Sequence, residues 1–298
     1  MTRATTSHGA NRRTPAGTGV GLRLPHLAEV VATRPPAAWL EIHPENFLAN
    51  AHATELLLAL REDYAISVHT VGISIGSADG IDRTHLARLR SLIDAVEPVL
   101  VSGHLAWSAH GGAYLNDLLP LPFDEEVLQV VISHLHQVQD GLGRPYLIEN
   151  PSSYVGFGTS TMTEVQFLSE LVRRTGCRLL CDVSNVYLSA HNMGYDPYGY
   201  IDSLPVDAID EIHLGGFTTE EDGGRTGTPL LVDTHSTSIT RPVWNLYAYA
   251  VRRFGLTPTL IEWDNDLPGF STLLEEASQA MAISRAQLSQ EPSRAVVA

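Results

Sequence analysis

Short apolar runs recur along the chain, and each closes on one polar side chain. Ala65-Ile-Ser-Val-His69, Val99-Leu-Val-Ser-Gly-His104, Arg144-Pro-Tyr-Leu-Ile-Glu149, Arg178-Leu-Leu-Cys-Asp182, Ile209-Asp-Glu-Ile-His213 and Thr259-Leu-Ile-Glu262 all follow this form. A strand buried on both faces reads as a continuous apolar run, and a proline such as Pro151 cannot continue it. The polar residue therefore marks the strand's C-terminal end. Gly19-Val-Gly-Leu-Arg-Leu24 and Ala38-Trp-Leu-Glu-Ile-His43 read as two further strands.

Helical periodicity fills the intervals. Asp82 is a good N-cap for a helix ending at Val96, with Leu86, Leu89, Leu92, Ile93 and Val96 as its inner stripe. Asp124 caps a helix to about residue 139 with Val127, Val131, Leu135 and Val138 inward, stopped by Gly141-Leu-Gly143. Residues 26–33, 52–63, 163–174, 198–204, 243–254 and 272–288 complete the helical set. Eight strands alternating with helices predict an α/β chain folded as a single (β/α)8 TIM barrel. The expected boundaries are a disordered tail over 1–17, one barrel over 18–288 and a C-terminal tail over 289–298. Residues 105–122 lack a clear period and read as a substrate loop or lid; residues 191–197 read as irregular. Residues 218–228 read as mobile, and residues 230–235 as a short extended piece returning to the barrel mouth.

Composition narrows the chemistry. The formal net charge is -15, from 34 acidic and 19 basic residues, and every basic residue is arginine. Without lysine there is no Schiff-base amine, no lysine general base and no Walker-type phosphate loop. The acidic balance argues against a broad nucleic-acid surface. Thirteen histidines against two cysteines turn attention to nitrogen and oxygen ligation of metals. Cys177 and Cys181 are wrongly spaced for a CxxC site and read as core. No run is long enough for a membrane helix and no secretory block opens the chain, so the expected location is cytoplasmic.

In a parallel barrel the strand C-termini share one face, where barrel enzymes keep their active sites. His69, His104, Glu149, Asp182, His213 and Glu262 would meet there. Asp233 and His235, two apart in an extended segment, point the same way and can grip one ion together. Carboxylates packed so closely repel unless cations lie among them, and the set exceeds what one ion uses. More than one metal is implied, with iron, manganese and zinc all compatible. His85, His134 and His136, on predicted helices, read as solvated, whereas His43 and His191 lie on mouth loops.

This series is similar to the metal-binding order of xylose-isomerase-like barrels, notably endonucleases of the endonuclease IV type. That resemblance implies one ion on His69, His104 and Glu149; a second on Glu149, Asp182, His213 and Glu262; and a third on Asp233, His235 and residue 185. Here residue 185 is asparagine, where the endonuclease has histidine. Gly19-Val-Gly-Leu-Arg23, Glu41-Ile-His-Pro-Glu-Asn-Phe47, Ser102-Gly-His-Leu-Ala-Trp107, Ile148-Glu-Asn-Pro-Ser152, Cys181-Asp-Val-Ser-Asn-Val-Tyr187, Glu211-Ile-His-Leu-Gly-Gly-Phe217 and Asp233-Thr-His235 more closely resemble the multinuclear non-heme iron-dependent oxidases, the family of the methanobactin-biosynthesis oxidase. The resemblance spans about residues 19–285. It implies two or three irons of mixed Fe(II)/Fe(III) state, O2 as co-substrate, and oxidation of residues, often cysteine, in a ribosomally made precursor peptide. A small leader-binding partner protein is also implied, with no nucleic acid and no membrane. Asn185 joins the expected ligands, and His43, Asn46, Asn150, His191 and Asp264 are expected to support them or meet substrate. The rival readings are a metal-dependent phosphodiesterase, endonuclease or sugar isomerase on the same barrel, and a metal-binding peptide scaffold without catalysis.

Overall fold

The structure, a computed structural model, describes residue 15 and residues 17–221 and 229–289. Apart from residues 15, 17 and 289, the expected tails over 1–17 and 289–298 lie outside the described residues, as do residues 222–228 of the stretch expected to be mobile, whose first residues, Thr218–Glu220, form a strand.

In chain order the first elements are β1 (Thr18–Gly21), α1 (Leu24–Thr33), β2 (Leu40–Ile42), α2 (Ala51–Leu60), β3 (Ile66–Thr70), α3 (Arg83–Val96) and β4 (Leu100–His104). A hairpin of β5 (Trp107–His110) and β6 (Ala113–Leu119) follows, then α4 (Glu125–Leu142), β7 (Leu147–Glu149), α5 (Glu164–Thr175), β8 (Arg178–Asp182), α6 (Val183–Met193) and α7 (Pro197–Ser203). The chain continues through β9 (Ile209–Gly215), β10 (Thr218–Glu220), β11 (Leu230–Val232), α8 (Arg241–Phe254), β12 (Thr259–Glu262) and α9 (Phe270–Ser289). Eight parallel strands close a barrel in the order β1-β12-β9-β8-β7-β4-β3-β2, with helices between them. No helix among the described residues is long and apolar enough to cross a membrane.

Side chains alternate between the two faces of each strand. Val20, Ile42, Val68, Val101, Ile148, Cys181, Ile212 and Ile261 are buried and join the core shared with the helices. Leu100, Leu147 and Leu180 form a separate small cluster inside the barrel. Two residues further along the same strands the interior turns polar, at Ser102, Glu149 and Asp182. Level with Leu100 and Leu180, other strands carry the buried polar residues Ser67, Glu41 and Glu211.

Local chemistry sets the helices as expected in most places. The Asp82 carboxylate accepts from the N–H groups of Thr84 and His85, and Asp124 accepts from Val127. Thr163 and Gln166 form a reciprocal capping box, and Gly176 closes that helix in the left-handed region. Cys177 and Cys181 are buried free thiols.

Three expectations are corrected. Residues 105–122 are not irregular: they contain the β5–β6 hairpin, turned at Gly111 and Gly112 with φ of 60° and 78°, which only glycine adopts freely at consecutive positions. Residues 183–193 form α6, because the Asp182 carboxylate accepts from Asn185 N–H and caps it, so the stretch expected to be irregular begins as its last turn. His134 is buried, its Nδ1 lying 2.8 Å from the Ile75 carbonyl, and His85 is half-buried 3.3 Å from Glu45; neither is a solvated helix residue. His136 is exposed as expected.

Candidate metal centre

Strand register places the predicted residues at one level. His104 sits beside Glu149 across β4 and β7, and Asp182 beside His213 across β8 and β9. Glu149 Oε2 lies 3.3 Å from Nε2 of both His69 and His104, and those nitrogens are 3.0 Å apart. His69 Nδ1 is held 2.8 Å from Ser102 Oγ, which aims its other nitrogen at Glu149. On the far side, His213 Nδ1 is 3.0 Å from Glu262 Oε2.

Asn185, one turn into α6, donates from Nδ2 to Glu149 Oε1 at 3.3 Å and to the Asn150 carbonyl at 3.2 Å. Asn150 in turn bonds both main-chain groups of Asp182 at 3.0 Å, locking the end of β7 to that of β8. Asp233 and His235 approach to 2.8 Å, and His235 Nδ1 lies 3.1 Å from Asp264 Oδ2. Arg23 bonds Asp264 and reaches Glu262 at 3.3 Å, while His43 Nε2 is 3.6 Å from Glu262.

Backbone economy explains how the last pair arrives. His235 has φ of 43°, a strained left-handed value for a side-chain-bearing residue. The segment crosses directly over Gly215 and Gly216. A Cβ on Gly215 would lie 2.5 Å from the His235 ring, and one on Gly216 would lie 1.7 Å from the Thr237 carbonyl.

Ligand-capable atoms within 4.8 Å of one another group as His69–His104–Glu149, Glu149–Asp182–His213, Asp182–His235–Glu262 and His43–Glu262–Asp264. Asp182 Oδ2 and Asn185 Oδ1 are buried and unpaired, and Glu149 Oε2, Asp233 Oδ1 and His235 Nε2, though close to ion-pair partners, are buried without a well-formed hydrogen bond. Buried polar atoms are almost always paired, so a converging set of unpaired lone pairs suits cations. The donor chemistry, imidazole with carboxylate and no thiolate, fits such a group.

Electrostatics points the same way. Burial pushes Glu149 well above the usual carboxylate range and, with repulsion from Asp233, carries Asp182 up to about 7. Burial pulls His104 down to about 4 and, with help from His104, His69 well below its usual value. For Glu262 burial acts upward, but His235 and His213 outweigh it and hold the carboxyl well below its usual value. His69 and His104 are thus held as neutral imidazoles, the state that accepts a metal. Burial acts downward on His213 and His235 too, but Glu41 and Glu262 outweigh it at His213, and Asp233 and Glu262 at His235, so both are pushed well above their usual value; a cation among these carboxylates would take over that positive charge.

The structure therefore brings together His69, His104, Glu149, Asp182, Asn185, His213, Asp233, His235 and Glu262, with His43, Asn150 and Asp264 against them. It places His191 apart, exposed on α6 with Nε2 2.9 Å from the Pro229 carbonyl, and Asn46 exposed beside Phe47. Sequence reasoning missed Glu41 and Glu211, both fully buried under His213. Each lies two residues before a strand-end histidine, and the two-residue strand period was the signal that could have found them. Arg23 was likewise not singled out.

Above the ligands is a cavity of about 340 Å³ lined by Tyr114, Asn116 and Leu118 of β6 and by Ser152 and Tyr154 after β7. The hairpin is strapped down on its β5 side, where Ser74 Oγ accepts from the N–H groups of Ser108 and Ala109 at 2.8 and 3.1 Å. Tyr154 accepts a 2.9 Å bond from Asp233 N–H, joining this rim to the ligand segment.

Residues 17–285 match a family model described as the RiPP precursor modification enzyme MbnB/TglH/ChrH. A UPF0276 protein of Vibrio parahaemolyticus is 50% identical over 264 residues, covering 88% of this chain and 90% of the relative. Another, of Paraburkholderia phytofirmans, is 45% identical over 278 residues, covering 93% and 90%. Among solved structures, a xylose isomerase-like TIM barrel protein from Mycobacterium smegmatis in complex with magnesium superposes with a TM-score of 0.60 at 12% identity, covering 92% of this chain and 98% of that one. A D-psicose 3-epimerase from Clostridium cellulolyticum H10 gives 0.55 at 12% identity, covering 92% and 99%. At that identity the two structures show the fold alone.

Proposed function

We propose, from the premise that this chain belongs to the MbnB/TglH/ChrH family of RiPP precursor modification enzymes, that it is a multinuclear iron-dependent, O2-using oxidase. Its substrate is a cysteine-bearing segment of a ribosomally made precursor peptide. The observation that carries the reading is Glu149, one carboxylate reaching His69 and His104 with one oxygen and the Asp182–Asn185 side with the other.

His69, His104 and Glu149 would hold one iron; Glu149, Asp182, His213 and Glu262 a second; and Asn185, Asp233 and His235 a third. Iron bound there would supply open positions for a substrate thiolate and for O2 and the redox chemistry that links them. The chain's own residues do the rest. Ser102 and Asp264 fix the imidazoles of His69 and His235, so each presents one nitrogen to the cavity. Tyr114, Asn116, Leu118 and Tyr154 seat the peptide. Burial pushes the Cys177 thiol up to about 11 and Cys181 well above its usual value, so neither competes with a substrate thiol. A small leader-binding partner would deliver the peptide, and the barrel is the single catalytic domain.

Iron-loaded protein incubated with the precursor peptide encoded beside its gene, under air and under argon, tests the reading. A peptide mass change that requires both air and iron supports it. Phosphodiester cleavage or sugar isomerisation by protein loaded with a redox-inert metal, without oxygen uptake, would replace it with the hydrolase or isomerase alternative. Metal uptake with no reaction in any arm would leave a binding scaffold.

A further inference from the structure

We infer that Glu41 and Glu211 are positioning residues for His213: they engage its Nε2–H from below and leave Nδ1 as the nitrogen that faces the metal centre. The inference rests on the metal-centre part of the proposed function and is independent of the peptide chemistry.

All three side chains have no solvent exposure. His213 Nε2 lies 3.5 Å from Glu41 Oε2 and 3.5 Å from Glu211 Oε1; neither approach closes as a hydrogen bond, and Nε2 and both Glu211 oxygens are buried and unpaired, ready for the Nε2–H that metal binding at Nδ1 would set. Its Nδ1 lies on the opposite side, 3.0 Å from Glu262 Oε2. A neutral imidazole carries one N–H and one lone pair. If Nδ1 offers its lone pair to a cation shared with Glu149 and Asp182, the proton sits on Nε2, and a buried N–H without an acceptor is costly. Among the described residues, the carboxylates of Glu41 and Glu211 are the acceptors placed for it. Ser67 Oγ holds the Glu41 carboxylate in turn, donating to Oε2 at 3.0 Å.

The orientation is the reverse of that found at the neighbouring ligands. His69 and His235 are held through Nδ1, by Ser102 and Asp264, and present Nε2. His213 bonds Glu262 through Nδ1, and on its Nε2 side it meets two carboxylates at 3.5 Å. Negative charge behind a ligating imidazole makes it a stronger donor. His213 would therefore be the strongest imidazole donor at the ion that Glu149 shares. A cation buried among Glu41, His69 and His213, which also lie within ligand distance, is the competing account. It lacks a nitrogen from His69, whose Nδ1 meets Ser102 and whose Nε2 meets His104 and Glu149.

Zinc, being diamagnetic, is the probe. In the zinc-loaded, ¹⁵N-histidine-labelled wild-type protein, long-range proton–nitrogen spectra should show His213 protonated at Nε2 and metal-bound at Nδ1. Glu41→Gln with Glu211→Gln should weaken one zinc equivalent about 10- to 100-fold in chelator competition, leaving the ion on His69 and His104 unchanged. A proton on Nδ1 would overturn the inference, as would unchanged zinc affinity in the double variant. So would an extra zinc equivalent lost from that variant while the His213 tautomer stays the same, since this would place a cation below the ring. The tautomer measurement needs no variant to fold. A wild-type protein that takes up no zinc and no iron would overturn the metal-centre reading itself.

Discussion

Asp264 Oδ2 stands 3.1 Å from His235 Nδ1, and the other oxygen of the same carboxylate is gripped by the buried Arg23 guanidinium. One carboxylate thus links the first strand's exit to the strained residue that closes the centre. Asp264→Ala should release the His235 ring and weaken the ion beside Asp233 about 10- to 100-fold, with the other ions retained. Metal analysis after graded chelator treatment reads this. Simultaneous loss of every ion would show that Asp264 holds the whole mouth and not one ring.

Glu149 is shared and His235 is not, so their removal should differ in stoichiometry. Glu149→Ala should lose more than one metal equivalent, and His235→Ala mainly one. Gly215→Ala should imitate the second, because its Cβ would sit 2.5 Å from the His235 ring. Equal loss of a single ion from Glu149→Ala and His235→Ala would refute the shared-ligand arrangement.

How much of this was legible can be judged residue by residue. Continuous apolar runs ending in a ligand fixed the strand ends at Asp182 and Glu262, because burial on both faces leaves no competing period. The β5–β6 hairpin escaped because Tyr114-Leu-Asn-Asp-Leu-Leu119 does not alternate, although Gly111-Gly112 carried a turn signal. His134 escaped because its partner is a carbonyl 59 residues away, which no local pattern encodes. The Arg23–Asp264 contact, spanning 241 residues, exists only once the barrel closes β1 against β12.

The hairpin supplies one wall of the cavity, and its β6 strand shows no main-chain bond beyond β5 among the described residues. Amide hydrogen exchange over residues 113–119 should slow when the precursor peptide binds, together with residues 152–157 across the cavity. Exchange that ignores the peptide in both segments would remove the hairpin from substrate binding.

Away from the centre, Glu164 gives a pH signature. Burial raises its carboxyl to about 7 from a reference of 4.5, against a smaller opposing pull from Tyr200. The folded protein keeps this proton to higher pH than the unfolded chain, so the contribution is full below about 4.5 and is lost as pH rises through about 7. Glu164→Gln keeps the neutral form at all pH. In metal-free protein the variant should match wild type near pH 4 and be the more stable at pH 8, by about 3 kcal/mol, read from denaturation curves at the two pH values. A constant difference across that range would show that Glu164 does not titrate this way.

Asn185 offers the sharpest test of what the third position is for. Its Nδ2 is committed to Glu149 and Asn150, which leaves Oδ1 buried and unpaired at the cavity that Asn185 lines together with Asp233 and His235. An amide oxygen is a neutral, weak ligand, and a weakly held ion keeps positions open for substrate and O2. Asn185→Asp preserves the shape and changes both facts. Without metal, the new carboxylate faces Glu149 where an N–H stood, so the variant should be less stable by about 1–3 kcal/mol. With iron or zinc the deficit should shrink or reverse, because a charged ligand binds the third ion more tightly, while O2-dependent turnover falls as that ion loses its openness. Melting curves with and without metal separate the two effects. If metal leaves the difference between variant and wild type untouched, Oδ1 is not a ligand, and the third position is held by Asp233 and His235 without it.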